Sequence, residues 1–177
     1  MRKFVSYFLL GMGIIIIPVA CKLYKTNDET YLTCKINNVS YEAQPTGGPY
    51  YFQPAARLTS RNYSTIIQVK KLTGKRTSET YSMEIRLWEN SNLQPHQRYF
   101  FKEISPDTLV TSLILENKEG IIYHSFNHSG WIEITEMGEK NNGLAYMVGK
   151  FEVEVRNIND STDVKSIKEG KFKAITE

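Results

Sequence analysis

Cysteine is scarce in this chain of 177 residues: there are two, Cys21 and Cys34. A small fold stapled by several disulfides is thereby excluded, and stability has to come from a packed core. Charge of one sign is equally scarce. Lys and Arg number 22 against 19 Asp and Glu, a formal net charge of +3. No strong field of either sign argues for nucleic acid or an acidic substrate. Also missing is any helical hydrophobic period longer than about two turns. Long apolar runs are absent too, except for Phe4 to Ala20.

That run follows Arg2 and Lys3 and contains no charge, which is the pattern of a secretory signal peptide. It is near the lower limit of roughly 17 residues for a bilayer span. Pro18 interrupts its far end, so a removable leader over residues 1–20 is expected rather than a permanent transmembrane helix. Val19-Ala20-Cys21 resembles the lipobox of bacterial lipoproteins, with Pro18 where that family usually has Leu. The resemblance implies acylation of Cys21, which becomes the new N-terminus and the point of lipid attachment. The alternative is ordinary cleavage after Ala20, with Cys21 a chance residue. Two or three acyl chains, at about 0.8 kcal/mol per buried methylene, hold a protein to a membrane essentially permanently. Losing Arg2 and Lys3 leaves 22 − 2 = 20 basic against 19 acidic residues, a formal +1. With Cys21 lipidated, Cys34 is the only thiol left, no intramolecular disulfide can form, and Cys34 is expected to point into the core. Lys22 is not the aspartate that marks inner-membrane retention in enteric lipoproteins. A cell-envelope location on the outer membrane is therefore expected, facing either the periplasm or the outside.

Residues 21–30 are polar without an apolar period and read as a flexible tether; residues 31–177 read as one domain. From Tyr31 onward the hydrophobic period is two. Leu32, Cys34 and Ile36 alternate with polar neighbours, and Asn37-Asn38 supplies a turn in which Asn tolerates positive φ. Gln44 to Pro54 carries Pro45, Gly47, Gly48, Pro49 and Pro54, which deny a central strand and predict a loop. Tyr81, Met83, Ile85 and Leu87 form the cleanest alternating face. Strands are also expected over Ile121 to Phe126, Gly130 to Glu136, Val164 to Ile167 and Lys171 to Ile175. Leu144, Tyr146 and Val148 have even parity whereas Phe151, Val153 and Val155 have odd parity; a β-bulge at Gly149-Lys150 would turn both sets to the core. About ten short strands predict an all-β antiparallel sandwich. A lipocalin-like barrel alternates in the same way and is the alternative.

Few residue sets carry chemistry. His124 and His128 lie too far apart along a strand for one metal ion, and no third ligand stands near them. Glu152 and Glu154 share a strand face at a spacing near that of glycosidase carboxylates, but Arg156 continues the row as a solvated face. Ser129 lacks the frame of a nucleophile elbow. The strongest binding feature is Gly47-Gly48-Pro49-Tyr50-Tyr51-Phe52, where Tyr50, Tyr51 and Phe52 present stacking surfaces for a sugar or peptide, or else cover one end of the domain. Lys70, Lys71, Lys75 and Arg76 form a basic turn that either contacts lipid headgroups or is simply solvated. No catalytic residue, metal or cofactor is expected.

Ile36-Asn37-Asn38, Gly130-Trp131-Ile132-Glu133-Ile134-Thr135, Gly149-Lys150-Phe151 and Gly170-Lys171-Phe172 follow one another as in a group of small uncharacterised β-rich lipoproteins of Bacteroidetes-type bacteria, which the chain resembles. Asn38 replaces that group's usual Gly. The resemblance implies an all-β fold, an envelope location and a lipidated Cys21, and carries no activity. The expected function is a non-enzymatic binding or assembly module for a protein or glycan partner, attached to the membrane by its N-terminal lipid. A hydrolase of envelope glycans using Glu152 and Glu154, and a lipocalin-like carrier of an apolar ligand, are the alternatives.

Overall fold

The computed structural model describes residues 30–48, 51–53, 56–61, 64–88, 93–104, 110–140 and 143–176. Twelve strands follow in order: β1 (Tyr31–Ile36), β2 (Val39–Ala43), β3 (Thr46–Gly48), β4 (Tyr51–Gln53), β5 (Arg57–Arg61), β6 (Ser64–Gly74), β7 (Thr80–Trp88), β8 (Arg98–Phe100), β9 (Ser112–Asn117), β10 (Ile122–Glu139), β11 (Ala145–Asn157) and β12 (Val164–Ile175). The chain is all-β, and eight of these strands close into an antiparallel barrel. Around the circle they run β1, β2, β6, β7, β9, β10, β11, β12 and back to β1. The expected sandwich is thus replaced by its alternative. β1 pairs with β12 from Tyr31 opposite Lys173 to Ile36 opposite Ile167, so the sheet has no pair of free edges along which to separate into two layers. Strand alternation is the same in both architectures, which is why sequence period leaves them unresolved.

The hairpin between β1 and β2 forms as expected. Asn37 and Asn38 take φ of 47° and 68°, the two positive values that a tight hairpin turn needs. The inward alternation of Leu32, Cys34 and Ile36 and of Tyr81, Met83, Ile85 and Leu87 also holds, and all seven are buried. The expected bulge at Gly149-Lys150 does not form. β11 keeps one parity, with Met147, Gly149, Phe151, Val153 and Val155 buried. Tyr146 lies on the outer wall, with its hydroxyl donating to Glu136 at 2.7 Å. The phase is taken up by the neighbours instead: β10 carries extra residues between Ser125 and Gly130 and again between Ile134 and Glu136. β12 carries one between Gly170 and Ile167, where Glu169 has φ of 53°. These irregularities join what reads as two strands on each side into the single long β10 and β12.

Two further strands, β5 and β8, join the same sheet in addition to these eight. β2 ends opposite Leu72 of β6, and β5 takes up the same edge from Gln68. Between them the chain makes a detour that contains the β3–β4 hairpin, a separate two-stranded sheet. The segment expected to be a loop is therefore partly ordered as strand, though outside the main sheet. β8 pairs with β10 from Phe100 opposite Trp131 to Arg98 opposite Glu133.

The ends of the barrel differ. One end, here the turn end, has four short connections, after β1, β6, β9 and β11. It is stoppered by tyrosines: the hydroxyls of Tyr41 and Tyr81 donate to Glu79 at 2.9 and 3.1 Å, and that of Tyr123 donates to Asp163 at 2.8 Å. Their rings are buried, and the Tyr41 and Tyr81 rings meet edge to face at 5.4 Å. The middle is filled by Leu32, Ile67, Ile85, Leu115, Ile134 and Phe172, all at 0% exposure. Eight strands leave an interior just wide enough for side chains to fill. Outside, Arg86, Glu116, Glu152, Glu154, Arg156 and Lys171 are exposed. Such a charged wall faces water, unlike the apolar band of a membrane-spanning barrel.

Candidate functional site

At the opposite end the filling stops short of the rim. There a cleft of about 680 Å³ is lined by Leu58, Thr59, Thr65, Leu93, Met137, Gly138, Glu139, Ala145, Tyr146, Met147 and Thr176. This volume falls within the roughly 300–1,000 Å³ of small-molecule sites, which favour the mouths of barrels. Strand register explains how the lining arises. Leu58 lies opposite Ile67 and Thr65 opposite Leu87, both partners being core residues, so Leu58 and Thr65 face inward. Met137 lies opposite Met147, and Glu139 opposite Ala145. Met147 is buried whereas Met137 is 39% exposed, although the two share a face. An inward-directed methionine so exposed marks the place where the core ends and the opening begins. Methionine is unbranched and polarizable, and suits surfaces that adapt to more than one apolar shape.

The polar groups at the mouth are few. Thr59, Thr65 and Thr176 are neutral, and Glu139 is the one charged residue of the lining. Thr176 closes the wall at the C-terminal side: its backbone N–H donates to Ala145 O at 2.9 Å, and its hydroxyl accepts from Ala145 N at 3.0 Å. The arrangement can hold an apolar body over the methionines with a polar end at the rim. Nothing in it resembles a nucleophile with its base.

A second, smaller groove of about 290 Å³ lies on the outer wall between Trp131, Glu152, Glu169 and Lys171. Beside it Arg98 stacks 4.3 Å from the Trp131 ring centroid and donates to Glu133 at 2.9 Å, while Lys150 approaches the same carboxylate at 3.2 Å. These two cations hold the Glu133 carboxyl below its ordinary pKa, Arg98 foremost. Phe100, directly opposite Trp131, is 60% exposed.

Of the residues singled out from sequence, Cys21 and Tyr50 lie outside the described residues, as do the expected leader and most of the tether. Tyr51 and Phe52 belong to β4, opposite Gly48 and Gly47. Glu152 and Glu154 are both exposed on the outer wall, Glu152 beside Trp131 and Glu154 opposite Ser166. His124 is half-buried, and burial together with the nearby Arg86 lowers its pKa; His128 is exposed at φ of 59°. Among the described residues no group of three or more His, Cys, Asp or Glu is placed to hold a metal. Cys34 is buried, and loss of solvation pushes its thiol up to about 12, which makes it inert as a nucleophile. The exposed Lys70, Lys71, Lys75 and Arg76 sit toward the turn end, away from the mouth. No helix among the described residues is long and apolar enough to cross a membrane.

Sequence reading overlooked Leu58, Met137 and Met147. The available signal was Met137 at the end of an expected strand, out of phase with Ile132 and Ile134; only the irregularity at Thr135 turns it inward.

In class, then, this is a closed antiparallel barrel with one stoppered end and one open end. No family profile, curated protein or solved structure matches the chain.

Proposed function

We propose that the chain is a non-enzymatic binding protein of the cell envelope that takes a small apolar ligand in the mouth of its barrel, and that a lipid on Cys21 holds it to the outer membrane. The carrying observation is the cleft over Met137 and Met147, which is apolar at its floor and hydroxyl-lined at its rim. It favours the carrier reading because a barrel packed to its rim would bury Met137. The proposal is tested by titrating the full chain with N-phenyl-1-naphthylamine, a neutral apolar fluorophore. Saturation at one probe per chain, lost in Leu58→Asp but with far-ultraviolet dichroism unchanged, is expected. Fluorescence that rises without saturation would remove the mouth as a site.

A protein or glycan partner is the second reading, favoured by the exposed Phe100 across from Trp131. Aromatic side chains of this kind anchor interfaces more often than the rest of a surface does. Capture of a partner from solubilised membranes by the native chain, and its loss in Phe100→Ser, supports that reading. Unchanged capture by the variant counts against it.

A further inference from the structure

The mouth reading leaves the chemical class of ligand open, and two features of the molecule narrow it. The first is where the chain enters the barrel. β1 begins at Tyr31 opposite Lys173, three residues along β12 from Thr176 of the cleft lining, about 10 Å at strand rise. β1 runs from the mouth side toward the turn end, so the described part of the chain begins on the mouth side. From Cys21 to Tyr31 there are ten residue steps, which reach at most about 35 Å. A lipid on Cys21, as proposed above, would hold the mouth within that distance of the bilayer. The turn end lies further along the barrel by about 20–25 Å, allowing for strand tilt, and touches the surface only if most of the tether is laid along the wall.

The second feature is the charge at the rim. Glu139 is the one charged lining residue, and it is exposed. A carboxylate beside the opening repels an anionic head and attracts an ammonium. Below the rim, the floor is set by Met137, Met147 and Leu58 above a filled core, so an apolar chain enters the top of the barrel and cannot thread it.

We infer that the mouth binds an acyl chain of a membrane phospholipid, with an amine-bearing zwitterionic head at Glu139, drawn from the bilayer beside which the anchor holds it. This deepens the mouth reading and rests on it.

The test uses the full lipidated chain. Organic extraction of protein purified from its own membranes, followed by mass spectrometry, is expected to release phospholipid in near-stoichiometric amount beyond the covalent anchor. Calorimetric titration then compares dodecylphosphocholine with laurate, which share a twelve-carbon chain and differ in head charge, both below their micellar concentrations. The zwitterion is expected to bind more tightly by about threefold, the scale of one exposed charge contact. Glu139→Lys should reverse the order, and Met137→Asp, at an exposed position, should weaken both by about tenfold. Equal binding of the two heads, or an order unmoved by Glu139→Lys, overturns the headgroup assignment. Release of a pigment or other non-lipid in place of phospholipid overturns the ligand class and leaves the mouth as a site. Release of nothing, with neither amphiphile bound, overturns the mouth reading together with the inference.

Discussion

At the scale of single residues, the turn end shows how a polar group is kept inside an apolar barrel. Tyr41, Tyr81 and Tyr123 are buried rings that deliver their hydroxyls to carboxylates at the edge of the core. Burial first, and then the neighbouring carboxylates, push all three phenols above their ordinary range, so they act as donors at any physiological pH. The Asp163 carboxylate accepts from Tyr123 at 2.8 Å and from the Asn157 amide at 3.2 Å, and these bonds, Tyr123 foremost, hold its pKa below the usual Asp range. A depressed folded-state pKa contributes stability that is present above the unfolded value of about 3.9 and is lost as pH falls through the lower folded value. Unfolding by urea should therefore show a stability level above about pH 5 that declines in acid. In Asp163→Asn the neutral-pH stability should fall by about 1 kcal/mol and the acid decline should be shallower. A variant with the same acid decline as the parent would show that Asp163 does not carry it. Tyrosine and aspartate at these positions are visible in the sequence. That Tyr123 meets Asp163, 40 residues away, is not.

At the scale of elements, the two Gly-x-Phe segments explain each other. Gly149 lies opposite Phe172, and Phe151 opposite Gly170, so each glycine leaves the space that the other segment's ring fills. A Cβ at Gly170 would sit 2.6 Å from the Phe151 ring. At Gly149 it would sit 2.6 Å from the Phe172 ring and 2.5 Å from the backbone oxygen of Glu133. Gly170→Ala should then cost about 1–3 kcal/mol by overpacking, and Gly149→Ala more, because a backbone oxygen cannot turn aside. Gly170→Ala with Phe151→Leu should cost less than the sum of the two single changes by at least about 0.5 kcal/mol, as measured by urea midpoints at unchanged slope. Strict additivity would rule out the interlock. The repeated segments are legible in the sequence as a pattern, and so is the alternation of β7. The continuity of β10 through Phe126 to Ser129 is not, because polar residues in an irregular stretch look the same as polar residues in a turn. For the same reason the odd and even sets around Gly149 suggest a bulge in β11, whereas Tyr146 is on the outer wall, hydrogen-bonded to Glu136 and beneath the Lys173 ammonium at 5.9 Å.

At the scale of the whole molecule, everything depends on closure. β12 joins β11 on one side and β1 on the other, and touches β5 at Ile175. Lys35 and Glu169 meet at 2.6 Å across 134 positions of sequence. Removing residues 164–177 should therefore do more than shorten the domain. It exposes the edges of β1 and β11 and uncovers the core over Phe151, and exposed edges template association. The truncated chain is expected to be recovered as aggregate, or without protected amides in hydrogen exchange. A monomer with the protection of the full chain would refute closure as the source of stability. The mouth belongs to this scale as well. Leu58, Met137 and Met147 come from three strands and Thr176 follows a fourth, at chain positions up to 118 apart (176 − 58), and no local pattern brings them together.

By itself the sequence determined the all-β class, the buried faces of β1 and β7, the Asn37-Asn38 turn and the buried, unreactive place of Cys34. Each of these follows from side-chain period two or from the φ a residue tolerates, and both are properties of a few neighbouring residues. Only the tertiary structure decided between barrel and sandwich, turned Met137 inward at the rim, and set the stoppered and open ends apart. Those outcomes rest on which distant strands share hydrogen bonds and on how many extra residues each partner carries, quantities that alternation along one strand does not encode.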